Sequence, residues 1–174
     1  MHHHLIALDE CLQVALLQAR VTREYDLLRC EWSMTGILDQ VLWPVPGEHP
    51  QRIVGLWEHT CFEVFIGPVD ESEYTEINLS PAGDWNAFAF DDVRMGMKET
   101  DRVSLADCNS ERTPTTLTLA ATFRFEPFPV TPLRVGISAV IEVKGNALHY
   151  FALAHTGATP DFHRREHHLL MIDG

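Results

Sequence analysis

This sequence predicts an all-β protein, a sandwich of two antiparallel sheets with little helix, and three observations carry that prediction. Apolar residues recur at every second position through most of the chain, the spacing that sends alternate side chains to opposite faces of a pleated strand. Clusters of Gly, Pro, Asn and Ser interrupt these runs at short intervals, as turns between neighbouring strands require. No segment sustains the broad apolar stripe of an amphipathic helix.

The elements follow in chain order. Residues 1–9 begin Met1-His2-His3-His4 and read as a flexible segment or tag remnant. Leu12 to Val21 pairs with Leu27 to Met34 through a Thr22-Arg23-Glu24 connection. In the second of these strands Leu28, Cys30, Trp32 and Met34 form an apolar face, and Arg29, Glu31 and Ser33 a solvated one. Glu10 to Val14 and Ser104 to Asp107 are compatible with helical turns, and Pro44 to Pro50 is a surface loop. Short strands at Thr60 to Ile66, Tyr74 to Leu79 and Trp85 to Phe90 are separated by Gly67-Pro68 and Ser80-Pro81-Ala82-Gly83. Thr116 to Phe125 and Leu133 to Val143 are the core strands, the latter turning at Lys144-Gly145-Asn146 into His149 to Leu153. Thr156 to Arg165 is an irregular approach to a last strand, Leu169 to Ile172. With no repeat and no change of composition, residues 1–174 read as one domain.

Charge narrows the function. The 25 acidic and 13 basic residues leave a net charge of −12, which repels nucleic acid and anionic membrane surfaces but not a neutral sugar. No apolar run approaches the roughly 20 residues that cross a bilayer, and the N-terminus lacks the basic flank and apolar stretch of a secretory signal. Cys11, Cys30, Cys61 and Cys108 show no CxxC spacing, so buried thiols in a reducing cytoplasm are expected.

Three stretches carry candidate chemistry. In Leu56 to Ile66, Trp57 stands at a strand entrance, and Glu63 shares a face with Cys61 and Phe65 while Phe62, Val64 and Ile66 take the other. A carboxylate among bulky neighbours needs a cation, donors or a ligand hydroxyl, and Arg94 is a candidate internal partner. In Tyr74 to Asn86, Glu76 and Asn78 project to the face of Tyr74, with Asn86 across the turn. Amides and carboxylates beside aromatic rings suit a sugar, whose C–H surface stacks on the ring while its hydroxyls are read by the polar groups. In the tail, Asp161, His163, His167 and His168 are of metal-ligand type, but their spacing matches no metal motif and no metal site is assigned.

Together the stretches LWEHTCFEVFIG, YTEINLSPAGDWNAFAFDDVRMGM and PDFH at residues 160–163 resemble the DOMON superfamily. The likeness is to its type-nine carbohydrate-binding-module-like branch, and within that to the bacterial cytoplasmic subgroup associated with MurB-type reductases. The resemblance runs from about Leu12 to Ile172 and implies a β-sandwich with a ligand cleft on one sheet face. It implies that Trp57 and Glu63, six positions apart as in the sugar-binding relatives, form the site with Arg94 and the Phe162-His163 pair. The last pair stands where those relatives have a second tryptophan. Relatives in other branches bind haem, for which Met95, Met97 and His163 would be available here without a covalent attachment motif.

The expectation is therefore a non-catalytic small-ligand domain for a carbohydrate or cell-wall sugar derivative. Its site residues are Trp57, Glu63, Glu76, Asn78, Asn86, Arg94, Phe162 and His163, with no catalytic residue, metal or obligatory cofactor. The alternatives are a protein-interaction domain or homodimer with a closed pocket, and non-covalent haem binding. Catalysis would need an acid and base at productive separation, such as Glu63 with Glu76 or His59 with Asp161.

Overall fold

The alternating segments pair into two antiparallel sheets, seen in a computed structural model that describes residues 1–130 and 132–173. In chain order the strands are β1 (His3–His4), β2 (Ile6–Ala7), β3 (Val14–Glu24), β4 (Leu27–Gly36), β5 (Cys61–Pro68), β6 (Tyr74–Leu79) and β7 (Trp85–Phe90). They continue as β8 (Lys98–Glu99), β9 (Val103–Arg112), β10 (Thr116–Phe125), β11 (Leu133–Val143), β12 (Ala147–Ala152) and β13 (Leu170–Ile172). The first sheet has the order β1-β3-β4-β10-β9. The second runs β2-β12-β11-β5-β6-β7-β8, with β13 on the stretch of β11 that β12 leaves free. Helix among the described residues is limited to short 3-10 turns such as Leu56–Glu58.

The inner faces of the sheets meet as the alternation dictates. Leu28, Cys30, Trp32 and Met34 of β4, with Leu117, Leu119, Ala121 and Phe123 of β10, are buried against Phe62, Val64 and Ile66 of β5. From β11 come Val135, Ile137, Ala139 and Ile141. Trp32 and Phe62 bridge the layers with ring centroids 5.6 Å apart. Each large aliphatic buried here contributes about 1.5–3 kcal/mol against the entropy of ordering its strand.

Four expectations are corrected. Residues 1–9 are not loose: β1 pairs with β3 at the edge of the first sheet, β2 with β12 at the edge of the second, and Leu5 between them is buried. Such two-residue pairings rest on backbone bonds and leave no apolar signature. Ser104 to Asp107 lies inside β9, an edge strand whose side chains are mostly exposed and whose register with β10 slips between Thr122 and Phe123, so its alternation is blurred. Glu10 to Val14 passes through a turn into β3, and Thr22-Arg23-Glu24 extends that strand, with the reversal at Tyr25 and Asp26.

The outer face of the second sheet is unusual for a buried surface. Strand register lines up Ala152, Ser138, Glu63, Asn78 and Asn86 as one row across five strands. The adjacent row is Gly136, Phe65, Glu76 and Phe88. Water is kept from much of these rows by the segment 153–169, which crosses the face and is pinned by its own histidines. His168 donates from Nε2 to the Phe162 carbonyl at 3.0 Å, and its Nδ1 accepts from Arg165 at 3.1 Å. The glycine at 136 makes this docking sterically feasible, since a Cβ there would sit 2.3 Å from the His168 ring. Gly136→Ala is accordingly expected to cost about 1–3 kcal/mol in urea unfolding, as overpacking does. It should also speed amide exchange in residues 160–170 more than in the core strands.

Candidate functional site

Where the tail lies over the outer face it leaves a cleft of about 380 Å3. Six of the eight residues named from the sequence line it: Trp57, Glu63, Glu76, Arg94, Phe162 and His163. Asn78 and Asn86 do not. Asn78 lies under the carboxyls and donates to Glu76 Oε1 at 2.7 Å. Asn86 Oδ1 accepts from Nε and Nη2 of Arg52 at 3.1 and 2.9 Å. Phe65, Phe90, Tyr150, Met97, Val140 and Pro160 complete the lining. Two hollows of about 390 and 430 Å3 lie elsewhere, but their charged side chains are all exposed.

Local folding presents each wall. Gly55 adopts φ 88°, a left-handed turn that suits glycine, and opens the 3-10 turn carrying Trp57. Trp57 remains half-buried and packs edge-on to Phe88, centroids 5.7 Å apart. The loop before it is tied down by Arg52, which bonds Asp101 at 2.7 Å and the Thr100 carbonyl at 2.9 Å and lies over the Trp85 ring. Phe162 and Tyr150 form the facing aromatic side, with centroids 6.1 Å apart. Phe65 and Phe90 make the apolar floor, packed in one buried cluster with Tyr74 and Phe88.

The polar groups converge from β5, β6 and two loops. Glu63 Oε2 accepts from the Ser138 hydroxyl at 2.6 Å. Arg94 does not pair with it. Its guanidinium donates to Asp161 Oδ1 at 3.3 and 3.1 Å, and the other oxygen of Asp161 accepts from Arg164 at 2.9 Å. Arg94 takes φ 56°, a backbone that costs a non-glycine residue of order 1–3 kcal/mol. Its amide donates to the Tyr74 hydroxyl at 3.3 Å. That hydroxyl is also hydrogen-bonded to His163 Nδ1, 2.7 Å away. The Nε2 of the same ring faces Glu76 Oε2 at 3.8 Å.

Burial dominates the electrostatics. Glu63 is 2% exposed and Glu76 5%. Loss of solvent, then the proximity of Glu76, pushes the Glu63 carboxyl up to about 8, and the bond from Ser138 only partly offsets this. Loss of solvent likewise lifts Glu76 to about 7 against the opposing pull of Asn78 and Arg94. Burial lowers His163 to about 4 and His168 to about 3. Asp161 is pulled upward by burial, but the bonds from Arg164 and Arg94 outweigh it and hold it below the usual carboxylate range.

Other candidate chemistry is dispersed. His59 bonds Glu142 at 2.8 Å while Asp161 is held by the two arginines, so these residues do not form an acid–base pair. Of the His163 ring nitrogens, Nδ1 is hydrogen-bonded to Tyr74 and Nε2 faces Glu76, while Met95 is exposed and Met97 lines the cleft. Among the described residues no three ligating side chains gather around a metal-sized space.

The shifts predict how stability depends on pH. Both acids hold protons in the folded state that they would release when unfolded, so their contribution is fully present below the unfolded value of about 4.5 and fades as pH rises through 7 and 8. The two histidines act oppositely, lending stability above 6.5 that is lost as pH falls through 4 and 3. Between about 4.5 and 6.5 the two effects oppose each other. From pH 6.5 to 8.5 urea denaturation should show a decline on the order of a few kcal/mol. Glu63→Gln should remove most of it, and an unchanged decline in that variant would refute the assignment.

No family model matches the chain, and no curated protein matches its sequence. Solved structures do match in fold. A Bacteroides uniformis protein assigned a carbohydrate-binding role superposes with a TM-score of 0.69 at 11% identity, over 96% of this chain and 83% of that one. A family 9 carbohydrate-binding module from Caldicellulosiruptor kristjanssonii in complex with cellotriose gives 0.57 at 8% identity, over 88% and 72%. In its glucose complex the figures are 0.52 and 7%, over 79% and 66%. The chain thus has the β-sandwich fold of family 9 carbohydrate-binding modules.

Proposed function

We propose that this chain is a non-catalytic binding module whose cleft takes a monosaccharide or cell-wall sugar derivative between Trp57 and Phe162. One observation carries the reading: half-buried aromatic rings flank buried carboxyls in an open cleft of about 380 Å3, within the size range of small-ligand pockets. Rings of this kind cover the C–H face of a sugar, while Glu63, Arg94 and His163 address its hydroxyls. The likeness in fold to modules solved with glucose and cellotriose supports the same class of ligand.

The carboxyls favour binding over hydrolysis. Glu63 and Glu76 project from neighbouring strands on the same wall, whereas glycoside cleavage uses acids on either side of the scissile bond. An open cleft likewise favours a ligand over a pocket closed by the protein's own side chains. The finer placement, in the cytoplasmic DOMON-type subgroup associated with MurB-type reductases, draws on the sequence resemblance. It is supported by four free thiols, three of them buried, as a reducing compartment allows.

Isothermal titration against glucose, cellobiose and cell-wall monosaccharides should give saturable heat. Trp57→Ala and Phe162→Ala should each weaken binding about tenfold or more, equivalent to about 1.4 kcal/mol. Silence of the wild-type protein across the panel would refute the proposal.

A further inference from the structure

The cleft carries more acidic groups than a neutral sugar needs. Glu63, Glu76 and Asp161 face it or border it, against the guanidinium groups of Arg94 and Arg164. Both arginines are spent on Asp161. Glu63 and Glu76, each more than nine-tenths buried, therefore stand on one wall without a cation of their own. Their protein donors are sparse as well. Among the described residues Ser138 reaches one oxygen of Glu63 and Asn78 one oxygen of Glu76. The other oxygen of Glu76 has His163 Nε2 no nearer than 3.8 Å, beyond hydrogen-bond range. Beneath them the buried Asn78 Oδ1 has no donor among the described residues. Such a wall has few donors and no ion-paired cation, and an aromatic cleft opens in front of it.

Resting on the sugar-binding reading above, we propose that the preferred ligand is an amino sugar, a hexose with a free protonated amine on C2 or C6 that lodges against Glu63 and Glu76. An ammonium supplies three donors and the missing charge, and charge-assisted bonds to carboxylates are about twice as strong as neutral ones. A ligand carboxylate would instead face two buried acids, with the one nearby guanidinium already bound to Asp161. A hydroxyl offers one proton where the wall has several vacant acceptor positions. The aromatic side adds to the preference, because ring faces attract a cation.

The unliganded protein relieves the same charge by keeping a proton on the acid pair, which is the sense of their upward shifts. A bound ammonium does that work, so the proton leaves for the buffer on binding.

The test is isothermal titration at pH 7 with glucose, glucosamine, N-acetylglucosamine and 6-amino-6-deoxyglucose, each in two buffers of different ionisation heat. At least one free amine should bind about tenfold or more tighter than glucose and release a fraction of a proton up to one. N-acetylation should abolish the advantage of the C2 amine. In Glu76→Gln, isosteric and relieved of a buried acid, the ratio of amino sugar to glucose affinity should fall to within about twofold. Equal affinity for glucose and both amines would overturn this inference and leave the sugar reading standing. A preference that survives Glu76→Gln undiminished would overturn the assignment to the acid pair. No binding by any of the four sugars would overturn both readings together.

Discussion

A pleated strand exposes both of its faces, and the second sheet here solves that with two different covers. The first sheet closes one side with hydrocarbon, while the tail over β11 and the loop bearing Arg52 and Trp57 over β6 and β7 close the other, across a row that includes Ser138, Glu63, Asn78 and Asn86. Carboxyls in such a place hold their charge only where solvent or a partner reaches them. The incomplete cover over Glu63 and Glu76 is therefore the constraint from which the cleft, its electrostatics and the ligand preference proposed for it follow.

The walls around those acids are held by interactions between distant parts of the chain. Arg52 ties the loop bearing Trp57 to β7 through Asn86, and Tyr74 ties the loop bearing Arg94 to His163 in the tail. Arg94 in turn meets Asp161, so loop and tail are joined twice. A binding surface assembled this way is stiff before any ligand arrives, and stiffness lowers the entropy that binding must lose.

Much of this was legible in the residues. Tyr74–Leu79, Trp85–Phe90, Thr116–Phe125 and Leu133–Val143 have the bounds expected from alternation, because each packs one face on the core and the pattern is undiluted. β9 was hidden by its position at an edge, where neither face must be apolar. Glu63 and Trp57 drew attention because a charge amid bulky neighbours is costly. Asn86 looked equivalent to them, yet its partner Arg52 lies 34 positions away in sequence, and no local pattern encodes that meeting. Tyr150 escaped notice for a related reason: only the pairing of Val140 with Tyr150 carries it to the cleft. The small outward residues Gly136 and Ser138 in an otherwise bulky strand were the available sign that something packs over β11.

The first seven residues contribute a strand to each sheet, β1 beside β3 and β2 beside β12. A ribosome makes them well before residues 147–152, the partner of β2. Vectorial synthesis thus leaves that one pairing unmade until residues 147–152 have emerged, whereas β1 can meet β3 early, and pairings of such long sequence separation form slowly. During that interval the edge of β2 is unguarded against neighbouring chains, a vulnerability of the nascent polypeptide that the finished sandwich no longer has.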